Sequence, residues 1–365
     1  MLLDFFPSRT ITWYLAKTFI VRILAVLLML VLVLQMLDLL SQSGKILAHP
    51  GNGQAELLRY VGLRLPQLVA KFLPYSVLLA TILTLSGFSQ NSEVVAMKAA
   101  GLSAHQILAP LILTAVVIAG VSFAFNERVV TRSTASLKAW DEAKFGPIPE
   151  DKARRANVYL NDRNDVMLIG RIEGRGPGAV LHEVSFYERD AAGRMTREYR
   201  APLARYAAPG WRLENARQFD VSSVAAAIIP AVVIARGVTP EQLFIRRVDP
   251  DAQPLPELSR SIAALSAAGR RTAELDGKWW HKISGPLAAV LMPLLGAVAG
   301  FGLARSGQML ARAVIGMALG FAYFVVENTA LAMGGFGGYP PLIAAWGPFV
   351  LFLLLGETVL IRTEE

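Results

Sequence analysis

The sequence predicts an integral membrane protein: an all-α transmembrane bundle of six helices with an all-β, jelly-roll-like domain inserted between its halves. Three observations predict it. Of the 365 residues, 54% are hydrophobic and only 18% charged, where soluble domains average roughly 25% charged. Long stretches carry no charge at all. The run 106–125 is 20 residues and 283–304 is 22, the length an apolar helix needs to cross a bilayer core. The middle of the chain then changes to short β-rich runs set between turn signals.

The elements follow in order. Span one is placed at 19–40, uncharged from 23 to 37 and flanked by Arg22 and Asp38. It begins late and has no small-x-small site after it, so it reads as retained and not as a signal peptide. Spans two and three fall at 70–89 and 105–125. Between them, Asn91-Ser-Glu-Val-Val-Ala-Met-Lys-Ala-Ala-Gly101 predicts a short helix. Asn91 or Ser92 can cap it, Glu93 suits its positive end and Gly101 its stop. Val94, Val95 and Met97 give it an apolar face, and a helix this short must dock on something. Two readings fit: a connector on the membrane surface, or a coupling helix seated in a partner's groove.

The inserted strands are read at Asn157-Val-Tyr-Leu, Val166-Met-Leu-Ile, Val184-Ser-Phe-Tyr, Gly210-Trp-Arg-Leu and 227–234. Turns are read at 174–178, at 190–193 and at Pro209-Gly210. A helix is expected from Glu257, after Pro254 and Pro256, with Leu258, Ile262 and Leu265 on one face. It runs through Trp279-Trp280, an interfacial aromatic pair, into span four at 284–304. Spans five and six, 312–333 and 341–361, are parted by Gly334, Gly335, Gly337, Gly338, Pro340 and Pro341. The expected domains are therefore 1–125, with the short helix at 91–101, then the β domain at 126–255, then 256–365. An even span count puts both termini on one side and the β domain on the other. Lys and Arg flank the spans on both sides, so charge leaves the orientation open.

Several chemistries are excluded. There is no G-x-x-x-x-G-K-[ST] loop, and Ser43-Gly44-Lys45 lacks the upstream glycine, so the chain has no phosphate loop for ATP. His49, His105, His182 and His281 have no metal-ligand spacing, and there is no cysteine. No G-x-S-x-G elbow is present. The net charge of +8 fits an anionic partner or the positive-inside rule equally. Asp38 and Glu327 are acids at or within spans, a placement that usually faces a bundle interior or an aqueous cavity. For Asp38 a headgroup-level position fits as well. Leu27, Leu30, Val31 and Leu34 make span one apolar over much of its surface, and Gly316 and Gly320 in span five allow a close helix approach.

The 91–101 segment, with Ser92-Glu93-Val94-Val95-x-Met97-x-Ala99-x-Gly101, resembles the coupling helix of the LptF/LptG permease family of lipopolysaccharide exporters. Pro66 and Pro74, Trp280-x-Lys282 with Pro286, Gly320-Phe-x-x-Phe324 and Pro340-Pro341 extend the resemblance from about Tyr14 to Leu360. Leu37-Asp38-Leu39-Leu40 and Asn91-Ser-Glu-Val-Val place it nearest the LptG branch. The resemblance implies a non-enzymatic permease subunit of an ABC transporter in the bacterial inner membrane, with the β domain in the periplasm. It would extract lipopolysaccharide and pass it to a periplasmic bridge. Implied partners are an LptF-type permease, a cytoplasmic LptB-type ATPase dimer that holds ATP and Mg, and an LptC-type single-span protein, with no nucleic acid and no cofactor in this chain. Implied coupling residues are Glu93, Val94, Val95 and Met97. Implied substrate-facing residues are Leu27, Leu30, Val31, Leu34, Asp38, Lys45, Arg64, Lys71, Lys138, Phe324 and Glu327. An LptF-type subunit, an exporter of another anionic lipid, and a membrane-anchored periplasmic sensor or assembly protein are the alternatives.

Overall fold

The computed structural model describes residues 6–147, 155–162, 165–174, 178–240, 248–267, 270–300 and 309–364. They fall into a helical unit, Met1–Pro147 with Asp249–Glu365, and a β unit, Ile148–Val248. The β unit is narrower than the expected 126–255, because the chain stays helical after span three. Helix α4 (Ala104–Phe125) passes through a π-helical turn (Asn126–Val130) directly into α5 (Thr131–Glu142).

The first two helices outrun their apolar stretches. Helix α1 is Arg9–Leu47 and α2 is Gln54–Gln90, with Pro66 and Pro74 inside it. Nothing in the polar flanks stops them: α1 starts where the Ser8 hydroxyl accepts from the Ile11 amide, and both run on until Gly51 and Gly53 on one side and Asn91 on the other. The short α3 (Glu93–Ala99) precedes α4. After the β unit come α6 (Leu255–Ala267), α7 (Ala273–Gly300), α8 (Met309–Gly335) and α9 (Pro341–Glu364). Among the described residues five helices are long and apolar enough to cross a membrane: α1, α2, the α4–α5 run, α8 and α9. The expected fourth span, 284–304, is carried by α7 as far as residue 300; its last residues lie outside the described ones.

Helix α7 sits at the centre of the helical unit, packed against α2, α4, α8 and α9. Ala288, Ala289, Leu291, Met292, Leu294, Leu295 and Ala297 are all buried there. Lipid tails are as apolar as leucine, so helices in a bilayer associate by close packing and not by the hydrophobic effect. Small residues supply that closeness. A Cβ added at Gly296 would lie 2.8 Å from Thr81 Cγ2 on α2, and one at Gly320 on α8 would collide with Leu78 Cδ2 of α2.

A second cluster closes the end of the helical unit where α1 turns into α2. Trp140 and Phe145 meet edge to face at 5.2 Å, and Phe145 meets Tyr60 at 6.4 Å. Ile46 and Leu137 complete this cluster. The Asn52 amide ties the corner by donating to Ile46 O and Phe145 O at 2.8 and 2.9 Å.

The β unit is a single antiparallel sheet of six strands in sequence order: β1 (Arg155–Asp162), β2 (Asp165–Glu173), β3 (Val180–Arg189), β4 (Met195–Ala207), β5 (Gly210–Asp220) and β6 (Ala225–Ile234). The jelly-roll-like expectation is therefore replaced, among the described residues, by a meander in which each strand pairs antiparallel with the next. Its core is Met167, Ile169, Leu181, Val184, Phe186, Leu213 and Trp211, whose indole donates to Val238 O at 2.9 Å. The β5–β6 turn is fixed by Asp220. Hydrogen bonds from Ser222, with the Arg197 guanidinium, hold its carboxyl well below the usual carboxylate range.

Gly320→Val should push α8 off α2, since buried Leu78 has nowhere to go. Overpacking of this kind costs about 1–3 kcal/mol. A lower thermal unfolding midpoint in detergent is expected for Gly320→Val, and none for Phe321→Val, which is 64% exposed.

Candidate functional site

One end of the helical unit carries the start of α1, the end of α2, α3 and the start of α4. Here α3 is held rigidly. Ser92 enters it with a left-handed backbone (φ 57°), so its side chain does not cap the helix as expected. Gly101, at φ 88°, supplies the expected stop. The Gly101 amide donates to Lys98 O and the Leu102 amide to Met97 O, both within 3.1 Å, which is a Schellman closure. The Ser103–Gln106 capping box then opens α4. Seven residues of helix are thus clamped from both sides.

This clamp sorts the four expected coupling residues. Val94 is buried in the main core, and Met97 packs partly against it beside Leu102. Val95, 54% exposed, points away from the bundle. Glu93 accepts from the Tyr14 hydroxyl of α1 at 3.1 Å and from the Asn91 side chain at 3.3 Å. The outward face of α3 is Val95 with Ala96, Lys98 and Ala99.

At the other end the structure divides the expected substrate-facing residues. Asp38 receives the Tyr60 hydroxyl at 2.6 Å and two Arg64 nitrogens at 3.1 Å, and Arg64 also donates to Gln67. Asp38 and Arg64 therefore join α1 to α2. Lys138 is paired with Asp249. Lys45 and Lys71 are exposed and have no ion pair among the described residues; the Lys71 ammonium lies 5.9 Å from the Phe72 ring. Lys45 borders an open cavity of about 400 Å³ shared with His49, Asp141, Lys144 and Phe145.

In the middle of α1, Val31 is buried against the bundle while Leu27, Leu30 and Leu34 are half-buried at its margin. Phe324 is 7% exposed and stacks on Tyr75 of α2 with ring centres 3.9 Å apart. Glu327 is 5% exposed; the Tyr323 hydroxyl donates to it at 2.8 Å and His281 Nδ1 lies 3.6 Å away. Phe324 and Glu327 thus face the bundle interior within this chain and line no open surface of it.

Sequence reasoning missed one polar centre. Lys282, 8% exposed, pairs with Glu127 at 3.1 Å, and the other Glu127 oxygen accepts the Leu255 amide at 2.6 Å. One carboxylate thereby joins the π-helical turn, the N-terminus of α6 and α7, a favourable place for a negative charge. Trp279 reinforces the joint by donating its indole N–H to Ser259 on α6. The available signal was an acid directly after the charge-free run 106–125 and a lysine directly before the run 283–304.

Comparison with known proteins gives one consistent result. The family profile of the lipopolysaccharide export system permease LptF/LptG matches residues 13–362. The lipopolysaccharide export system permease protein LptG of Escherichia coli (strain K12) is 25% identical over 365 residues, covering 98% of this chain and 99% of that protein. The protein of the same name from Haemophilus influenzae is 23% identical over 367 residues, again covering 98% and 99%.

Lys282→Met should leave the Glu127 carboxylate buried without its cation, a change that costs about 3–5 kcal/mol. Glu127→Gln combined with Lys282→Met removes both charges and should recover most of that loss. Unfolding of the two variants in detergent checks the order; equal losses would mean the pair acts through packing alone.

Proposed function

The chain belongs to the LptF/LptG family of lipopolysaccharide export permeases, and we propose that it is the LptG-type half of the inner-membrane exporter, moving a whole glycolipid without chemical change. Family members are permeases of an ABC transporter whose ATPase is a separate subunit. For this chain the partners are an LptF-type permease, an LptB-type ATPase dimer carrying ATP and Mg in the cytoplasm, and an LptC-type acceptor. The termini and α3 then lie in the cytoplasm, the β unit in the periplasm, and α7 serves as the sixth span.

The observation that carries this reading is α3. A seven-residue helix is unstable in isolation, yet this one is locked between α2 and α4 and shows Val95 and Lys98 outward. A rigid apolar and basic knob at the end of a bundle suits insertion into a groove of a moving partner. Of the four expected cations, Lys45 and Lys71 are the two without an ion pair among the described residues, since Arg64 and Lys138 are already paired. Charge-assisted contacts to phosphate are short and strong when partly desolvated.

Purification in mild detergent should recover an ATPase and a second permease, with turnover that responds to lipopolysaccharide. A sensor or assembly protein would bring no such ATPase. Val95→Glu should lower ATPase recovery about tenfold, the effect of a loss near 1.4 kcal/mol, without changing the amount of permease in the membrane. Unchanged recovery would place the docking elsewhere.

Lys45→Gln with Lys71→Gln should reduce photo-crosslinking to lipopolysaccharide more than Arg64→Gln with Lys138→Gln. The reverse order would move the headgroup site onto the paired cations.

A further inference from the structure

Helix α1 is bound to the rest of the helical unit in an uneven way. Near its start, the Tyr14 hydroxyl donates to Glu93 at 3.1 Å and the Tyr14 ring meets Phe88 at 5.7 Å. Arg22 donates to Leu83 O at 2.6 Å, its guanidinium 5.8 Å from the Phe88 ring. Near its far end, Asp38 holds Tyr60 and Arg64. Between these points α1 touches the bundle through apolar side chains such as Ile23, Val26 and Val31, and the buried Gln35 amide finds no hydrogen-bond partner among the described residues. Its outer surface is broadly exposed at Leu24, Leu28, Leu32 and Met36.

From Tyr14 to Asp38 is 24 residues of continuous helix, roughly 36 Å at 1.5 Å per residue. A rigid rod with a bidentate clamp at one end and, at the other, one hydrogen bond from Tyr14 to α3 and one from Arg22 to α2 behaves as a lever. Its driven end is Tyr14, and the bond there goes to the first residue of α3. Glu93 follows the left-handed Ser92, the point where the chain breaks direction between α2 and α3. A displacement of α3 therefore moves the acceptor of the Tyr14 hydroxyl directly. The half-buried residues Leu27, Leu30 and Leu34 lie between drive point and pivot.

We infer that Tyr14 is a positioning residue for transport: its hydrogen bond to Glu93 carries the movement of α3 into α1, so that Glu93 acts inside the chain as a mechanical acceptor as well as at any surface a partner presents. This rests on the reading of α3 as the ATPase-docking helix. It also changes what Glu93 must be. A link of this kind needs a hydrogen-bond acceptor at residue 93, which glutamine can supply. An ion pair to a partner needs the charge, which glutamine lacks.

The test uses the whole complex in nanodiscs containing lipopolysaccharide. Tyr14→Phe keeps the ring against Phe88 and removes only the hydroxyl, at a residue 48% exposed, so folding is not at risk. We expect full ATPase content in the purified complex, with lipopolysaccharide released per ATP reduced about tenfold, the scale of one hydrogen bond to a charged group. Glu93→Gln should keep several-fold more release than Glu93→Ala, and Glu93→Ala should match Tyr14→Phe, with the double Tyr14→Phe, Glu93→Ala variant no worse than either single one.

The chain has no cysteine, so spin labels at Leu28→Cys on α1 and Leu83→Cys on α2 report the lever directly. The distance change between nucleotide-free and vanadate-trapped states should shrink in Tyr14→Phe. Parental release and parental distance change in Tyr14→Phe would overturn the proposal. So would loss of ATPase recovery in Glu93→Gln beside a normal Tyr14→Phe, which would assign Glu93 to the partner alone. Absence of any ATPase from the parental complex would instead overturn the docking reading beneath it.

Discussion

A bilayer gives helices no hydrophobic reason to prefer one another over lipid, so the helical unit has to be held by contact distance and by polar groups that have no water to turn to. Helix α7 meets that constraint for the whole unit. Its middle is surrounded by α2, α4, α8 and α9, with alanines and Gly296 at the contacts. Its start carries Lys282 into the joint made by Glu127 and the N-terminus of α6. The helix most enclosed by protein is thus also the one anchored by a buried ion pair. The other helices are placed by how they lean on it.

Helix α1 is the contrast. It is long, uncharged through its middle and exposed along one whole side, and it leans on α2 far more than on anything else. Its buried contacts are apolar, and exchanging them for lipid changes little in free energy. The two ends of α1 are another matter. Asp38 with Arg64 and Tyr60 is a part-buried polar contact whose loss is costly, and Tyr14 with Glu93 is an exposed hydrogen bond at the other end. The helix is therefore held by apolar packing in its middle and by polar contacts towards its ends.

Much of this was legible in the residues, and the exceptions share a cause. Charge-free length marked the five helices able to cross a membrane, Gly101 marked the end of α3, and Pro209 with Gly210 marked the turn before β5, because each acts through local backbone or solvation physics. Strand β4 went unread because Arg197, Glu198, Arg200 and Arg205 mask its alternation. The boundary at 126 was misplaced because α5 is too polar to read as part of a span, though the helix continues without a break. Pairings were the main thing hidden. Arg64 and Lys138 look like free cations in sequence, and only the fold brings Asp38 and Asp249 to them. The facing of α3 was hidden too, since seven residues do not show which of Val94 and Val95 meets the bundle.

The separation of paired from unpaired cations bears on substrate handling. A headgroup phosphate that approached Arg64 would have to compete with a bidentate carboxylate already in place, and the displaced Asp38 would then be an uncompensated charge beside Tyr60. A phosphate approaching Lys45 or Lys71 displaces water only. Both are compact charges on flexible stems and hold a phosphate without fixing its orientation. Such cations can attract a bulky anionic lipid and still release it, because the contacts are not bidentate and break one at a time. Tight fixation would suit an enzyme that must align reacting atoms. Under the proposed function, a permease that passes its substrate on intact is better served by separate, mobile charges such as Lys45 and Lys71 than by a bidentate clamp.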